Sequence, residues 1–229
     1  MPGKSKKQET PNNLDTMRRQ IDDVDKKIQE LISKRARFAQ QVGEVKKADS
    51  SSVEYYRPGR EAEVLRAVVG RNDGPLSDVE MVRLFREIMS ACLAQEEALK
   101  IGYLGPEGTF TQAAVLKQFG HSVRALPLAT IDEVFHEVEA GMADFGVVPI
   151  ENSSEGTVNN TLDMFLTSPL KICGEIEMRI RQHLLGSMNN LDQVVRVCAH
   201  PQSLAQCRAW LKEYLPDAEH VVANSNAGG

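Results

Sequence analysis

Absent from this chain are a C-x-x-C pair and any apolar run long enough to span a bilayer. Its four cysteines, Cys92, Cys173, Cys198 and Cys207, lie far apart, which disfavours a zinc site or a redox motif and suits buried or idle thiols in a reducing compartment. A basic block is missing too. Beyond Lys4, Lys6 and Lys7 the cations are dispersed and the net charge is −5, so nucleic acid is not an expected partner. Residues 1–11 read as a solvated tail: charge is present but no apolar run follows, so neither a secretory signal nor a membrane anchor is read there. A cytoplasmic protein without membrane partners is expected.

What is present divides into two unlike parts. The length of 229 residues suffices for one large or two small domains, and 41% hydrophobic with 26% charged content is enough to bury a core. From Leu14 onward, apolar residues fall at Leu14, Met17, Ile21, Val24, Ile28, Leu31, Phe38, Val42 and Val45. This alternation of threes and fours predicts one long helix with a coiled-coil-style seam. Arg35 interrupts the seam, and a cation there is either a register device or a ligand hook.

Geometry favours the hook. Arg35 and Lys46 share a helix face within about 20° and sit roughly 16 Å apart along the axis, a gap that two long side chains can narrow around a small dianion. Arg18 lies about 100° round the helix from Arg35 and about 25 Å away, too far to reach the same ligand in the same chain. If all three serve one site, a second protomer supplies Arg18.

Two shorter helices follow. Arg57-Pro58 marks a start, and Ala62, Leu65, Val68 and Val69 give an apolar face before the Arg71-Asn72-Asp73-Gly74-Pro75 turn. Ser77-Asp78-Val79-Glu80 reads as a capping box, opening a helix whose face runs Met81, Phe85, Ile88, Cys92 and Leu99, with Glu96 one turn beyond Cys92.

Residues 12–98, through Arg18, Arg35, Lys46, the Arg60-Glu61 pair, Cys92 and Glu96, resemble the all-helical chorismate mutases. In that family two protomers intertwine their long first helices and one arginine crosses into the partner's site. The reaction is a pericyclic shift of chorismate to prephenate, which calls for no nucleophile, metal or cofactor, only groups that hold the dicarboxylate in a chair-like conformer and stabilise charge on the breaking ether oxygen. The resemblance implies that Arg18 and Arg35 grip carboxylates, that Lys46 donates to the ether oxygen, and that Arg60 and Glu61 orient the ring and its hydroxyl. Some members carry Ser and Gln where this chain has Cys92 and Glu96, and some an acidic residue where it has Arg57, so Arg57 is left out of the site. A Glu at position 96 donates only when protonated, so mutase activity is expected to fall as pH rises through its titration.

After Lys100 the periodicity changes. Ile101 to Leu104 predicts a buried strand, Gly105 to Gly108 a tight loop, and Thr109 to Phe119 a helix stopped by Gly120. A glycine loop opening a helix offers N–H groups to an anion, with the hydroxyls of Thr109 and Thr111 beside them; the same pattern also serves as a plain strand-to-helix turn. Val123 to Leu126 predicts a second strand, Thr130 to Gly141 a helix, and Phe145 to Ile150 a third strand ending at Glu151-Asn152-Ser153. Such alternation predicts a mainly parallel sheet with covering helices, whose sites lie at the carboxyl ends of its strands. Read from position alone, His183 is either a ligand or a satisfied strand histidine, His200 fixes a loop, and Gln206 sits mid-helix, where exposure is the default.

The runs Gly105-Pro106-Glu107-Gly108-Thr109-Phe110-Thr111 and Val148-Pro149-Ile150-Glu151-Asn152-Ser153, with Gln182-His183-Leu184-Leu185-Gly186 and Ala199 to Cys207, resemble prephenate dehydratase. Behind a helical mutase they are similar to the bifunctional enzymes of phenylalanine biosynthesis. The resemblance implies a helical domain over 12–98 and, over 99–229, part of a two-lobed α/β domain like type II periplasmic binding proteins, with prephenate in the cleft. Thr109, Thr111, Glu151, Asn152, Ser153, His183 and Gln206 would line that cleft, where the ring hydroxyl and CO₂ leave as phenylpyruvate forms; Ala199 replaces a serine found in some members.

Val221 to Gly229 reads as a strand followed by the first turn of a helix, an ending that leads us to expect a fragment. The resemblance implies that a Thr-Arg-Phe motif and an ACT regulatory domain follow, so a mutase with weak or absent dehydratase activity is expected. The reading from another class is a non-catalytic ligand-binding α/β module on a helical dimerisation segment. The cations at 18, 35 and 46 argue against it, because a seam alone has no use for them.

Overall fold

The 36 residues of α1 (Asn13–Ala48) form one helix with no proline and a single glycine, Gly43. Its seam is an apolar stripe that faces solvent: Leu14, Met17, Ile21, Val24, Ile28, Leu31, Phe38, Val42 and Val45 are all exposed, Leu31 at 65% and Val45 at 70%. Burying a side chain of this size contributes about 1.5–3 kcal/mol. The computed structural model describes residues 13–48, 56–152 and 156–223. The expected tail at 1–11, Ser153 and residues 224–229 lie outside them.

Two compact units divide at Tyr55/Tyr56. In the second unit, Pro58 sits in the first turn of α2 (Pro58–Gly70), preceded by an extended Arg57, as the residue before a proline prefers. Leu65 and Val68 form the buried face of α2. Asn72 in the following turn donates to Leu76 O and Asp78 Oδ1, at 3.0 and 2.7 Å. The Ser77 hydroxyl caps α3 (Asp78–Leu93) by accepting from Glu80 N, while the Glu80 carboxylate turns to Arg83 instead of completing the box.

This division falls before the expected boundary at 98/99, because α3 is bonded to the α/β part. Arg86 Nη1 donates to Lys117 O at 3.2 Å, Glu87 accepts from the His121 amide at 3.1 Å, and Ser90 Oγ accepts from Ser122 N at 3.3 Å.

A three-stranded parallel sheet of order β2-β1-β3 carries the core. It comprises β1 (Lys100–Leu104), β2 (Arg124–Leu128) and β3 (Phe145–Val147), with α4 (Phe110–Phe119) and α5 (Ile131–Glu139) as crossovers. Ile101, Tyr103, Val115 and Val147 are buried together with Leu99, packed by Phe119, Phe145 and Tyr56. Pro127 is tolerated because β2 lies at the edge.

The third strand is shorter than the sequence predicts. It stops at Val147, since Pro149 has no N–H to donate and its carbonyl is taken by the fully buried Thr161 hydroxyl at 2.6 Å. The chain then turns into a small antiparallel pair, β4 (Glu151–Asn152) with β5 (Gly156–Thr157), and into α6 (Asn159–Thr167). Farther on, β6 (Arg196–Ala199) pairs in parallel with β7 (Glu219–Val222) across α7 (Pro201–Gln206) and α8 (Arg208–Tyr214). Among the described residues, no helix is long and apolar enough to cross a membrane.

Gly120 ends α4 at φ 77°, ψ −179°, a region essentially reserved for glycine. A Cβ there would lie 2.6 Å from Ser90 Cβ. Gly120→Ala should therefore destabilise by about 3 kcal/mol from backbone strain and overpacking together, lowering Tm in thermal circular dichroism by roughly 6–12 °C. Gly59→Ala, in α2 with nothing within 4 Å of the added carbon, should hold or raise Tm.

Candidate functional site

Two neighbouring strands of the parallel sheet end in polar segments at the same edge. After β1, Thr109 caps α4: its Oγ1 accepts from Gln112 N at 3.4 Å, and Gly108 N donates to Gln112 Oε1 at 2.6 Å. These two backbone donors are thus engaged within the turn. Thr109 and Thr111 are half-buried and Glu107 exposed. After β3, the chain delivers the exposed Glu151, followed by Asn152, into β4. The expected Thr109–Thr111 and Glu151–Asn152 groups therefore follow adjacent strands.

A second polar group gathers at α7. Gln206 is not mid-helix: α7 ends there and the chain bends at Cys207 into α8. Its Oε1 accepts from Gln182 Nε2 at 2.9 Å, which brings the 182–183 segment and the end of α7 together. His183 is exposed and lies outside any strand. His200 caps α7 by accepting from Gln202 N at 3.3 Å, the loop-fixing role expected of it. The sequence does not single out Gln182 by itself, because only the tertiary pairing across 24 positions places it beside Gln206.

On α1, Arg18 is exposed and pairs loosely with Asp15 at 3.5 Å, while Arg35 and Lys46 are half-buried. In the second unit, Arg60 is exposed and bonds Glu63 at 2.9 Å. Glu61, its neighbour, points inward: the Tyr56 hydroxyl donates to Oε2 and Arg86 Nε to Oε1, the latter at 3.0 Å. Cys92 is buried on α3 at 2% exposure. Glu96 is not on that helix, since α3 ends at Leu93 and Glu96 N donates to Leu93 O at 2.9 Å within the turn that leads to β1. Its carboxylate is half-buried in that turn, with Oε2 shielded from solvent.

Burial, and next the bond to Glu61, push the Tyr56 phenol well above its ordinary range, so it stays a neutral donor at physiological pH. Among the described residues, no group of three or more His, Cys, Asp or Glu could hold a metal ion.

Residues 101–229 match the family described as prephenate dehydratase, and residues 17–97 match that described as chorismate mutase type II. A bifunctional chorismate mutase/prephenate dehydratase from Stutzerimonas stutzeri is 55% identical over 220 residues, covering 94% of this chain and 60% of that protein. Its namesake from Pseudomonas aeruginosa is 54% identical over 220 residues, with the same coverage of 94% and 60%. The crystal structure of a prephenate dehydratase in complex with L-Phe from Arthrobacter aurescens is 34% identical, covers 56% of this chain and 43% of its own, and superposes with a TM-score of 0.44. The chain spans about 60% of the length of these curated relatives.

Proposed function

This chain belongs to the prephenate dehydratase family, and from that premise we propose that it serves phenylalanine biosynthesis, rearranging chorismate to prephenate and binding prephenate for conversion to phenylpyruvate. One observation carries the reading: a single chain holds both family matches, the first across residues 17–97 and the second across 101–229. In this reading the domains run 12–98 and 99–229, and the protein works in the cytoplasm as a homodimer intertwined through α1. The exposed apolar stripe of α1 supports the dimer.

For the mutase step, Arg35 and the partner protomer's copy of Arg18 hold the two carboxylates of chorismate. Lys46 donates to the ether oxygen as its bond to carbon breaks, and Arg60 and Glu61 orient the ring. Cys92 borders the site. A protonated Glu96 adds a second donor to the ether oxygen, so turnover should fall as pH rises through its titration, and Glu96→Gln, a donor at every pH, should flatten the profile. An identical profile in the variant would remove Glu96 from this role.

For the dehydratase step, the α/β part is the first portion of a two-lobed domain of type II periplasmic-binding-protein kind. Thr109, Thr111, Glu151, Asn152, Ser153, His183 and Gln206 hold prephenate there. The carboxylate leaves as CO₂, its bonding electrons enter the ring, and the ring hydroxyl departs as water once protonated; aromatisation drives the step.

Purified protein given chorismate, with prephenate and phenylpyruvate followed separately, tests both halves. Prephenate must form if the mutase reading holds, and phenylpyruvate reports the dehydratase step. No consumption of chorismate would return the chain to the non-catalytic binding class.

A further inference from the structure

Glu61 is fixed by residues that neither family match singles out. The Glu61 side chain is mostly buried at 12% exposure, and the Arg86 side chain is too, at 20%. Each oxygen has its own donor, Tyr56 on Oε2 and Arg86 on Oε1. Both donors are anchored in the α/β part. The Tyr56 ring packs on Phe119 of α4 and Phe145 of β3, with centroids 5.6 and 5.3 Å away, and those two rings lie 5.7 Å from each other. Arg86 also reaches Lys117 O of α4.

A carboxylate in the first turn of an exposed helix ordinarily samples several rotamers. Two charge-assisted bonds from donors that are themselves packed leave it one. The aromatic trio joins Tyr56 to β3, whose carboxyl end leads to Glu151. A simple structural ion pair would require neither a tyrosine aimed at the second oxygen nor the placement of both donors against the other part.

We propose that Tyr56 and Arg86 are positioning residues for the mutase reaction: they hold the Glu61 carboxylate in the orientation that receives chorismate, and through Phe119, Phe145 and Lys117 they make that orientation depend on the α/β part. The proposal rests on the mutase reading above.

The test is a double-mutant cycle in the full chain, with Tyr56→Phe, Glu61→Gln and the pair, assayed for chorismate consumption. Tyr56→Phe keeps the ring in its aromatic contacts and deletes only the donor. It should lower kcat/KM about tenfold in the wild-type background, the scale of one hydrogen bond to a charged group, and less than about twofold in the Glu61→Gln background. Arg86→Lys, which keeps the charge but loses the fixed fork, should follow the same pattern. Wild-type activity in Tyr56→Phe, or equal losses in both backgrounds, would overturn the proposal while the mutase reading stands. A wild-type chain that turns over no chorismate would overturn the mutase reading itself and this inference with it.

Discussion

On the mutase and dimer reading proposed above, Arg35→Ala should lower kcat/KM for chorismate by about a thousandfold, or ~4 kcal/mol of transition-state stabilisation, with the dimer retained. The reasoning begins in the seam. Every other seam position between Leu14 and Val45 is apolar and exposed, whereas Arg35 is half-buried on the same helix. A guanidinium in a seam weakens it unless it has another task, and holding a carboxylate bidentately is the task its planar fork performs best. Removing it leaves one carboxylate of a dianion unpaired in a partly desolvated site, which costs far more than a surface ion pair. The dimer should persist, because alanine in place of a seam cation removes no apolar contact. Sedimentation velocity and steady-state turnover on the same preparation check this. Loss of the dimer together with the activity would mean that Arg35 sets the register of the helices.

Long-period features of this chain were legible from its residues, while features made by contacts between distant segments were not. The alternation of threes and fours from Leu14 to Val45 predicts one helix, and α1 spans Asn13–Ala48. The strand beginning at Ile101, the helix capped by Thr109 and ended by Gly120, and the helix opened by Thr130 all appear within a few residues of their expected bounds. Boundaries failed where tertiary demands override local pattern. Helical spacing extends the last mutase-like helix through Leu99, yet the chain leaves the helix at Leu93 because Leu99 packs into the core under the sheet and Lys100 opens β1, where Lys100 N bonds Asp144 at 2.7 Å. The third strand looks apolar to Ile150, but Pro149 removes the donor that a longer ladder requires. At the candidate site, Arg60 and Glu61 read alike in the sequence, and only the fold separates them: one reaches solvent beside Glu63, the other turns inward to Tyr56 and Arg86, the latter 25 positions away.

Mixing two inactive variants should restore activity. Helix geometry separates Arg18 from Arg35 by about 25 Å and a quarter turn or so, so one protomer cannot present both to a single chorismate. Under the dimer reading, each site takes Arg35 from one chain and Arg18 from the other. Arg18→Ala and Arg35→Ala homodimers then each lack a grip in both sites and should be nearly inactive. A heterodimer of the two carries one site with both arginines missing and one with both present. Equal amounts exchanged to equilibrium give heterodimers as half the population, each with half its sites intact, so the mixture should recover about a quarter of wild-type turnover. The recovery requires exchange, which brief warming or dilution through the dimer's dissociation range supplies, and it should be lost when Ile28→Asp is added to both chains. The exposed stripe that contains Ile28 is the surface the exchange depends on, and a buried aspartate in its place removes apolar contact and adds an unpaired charge. Failure of the mixture to recover, with both variants dimeric and exchanging, would place Arg18 and Arg35 in separate roles and break the shared-site reading at its geometric premise.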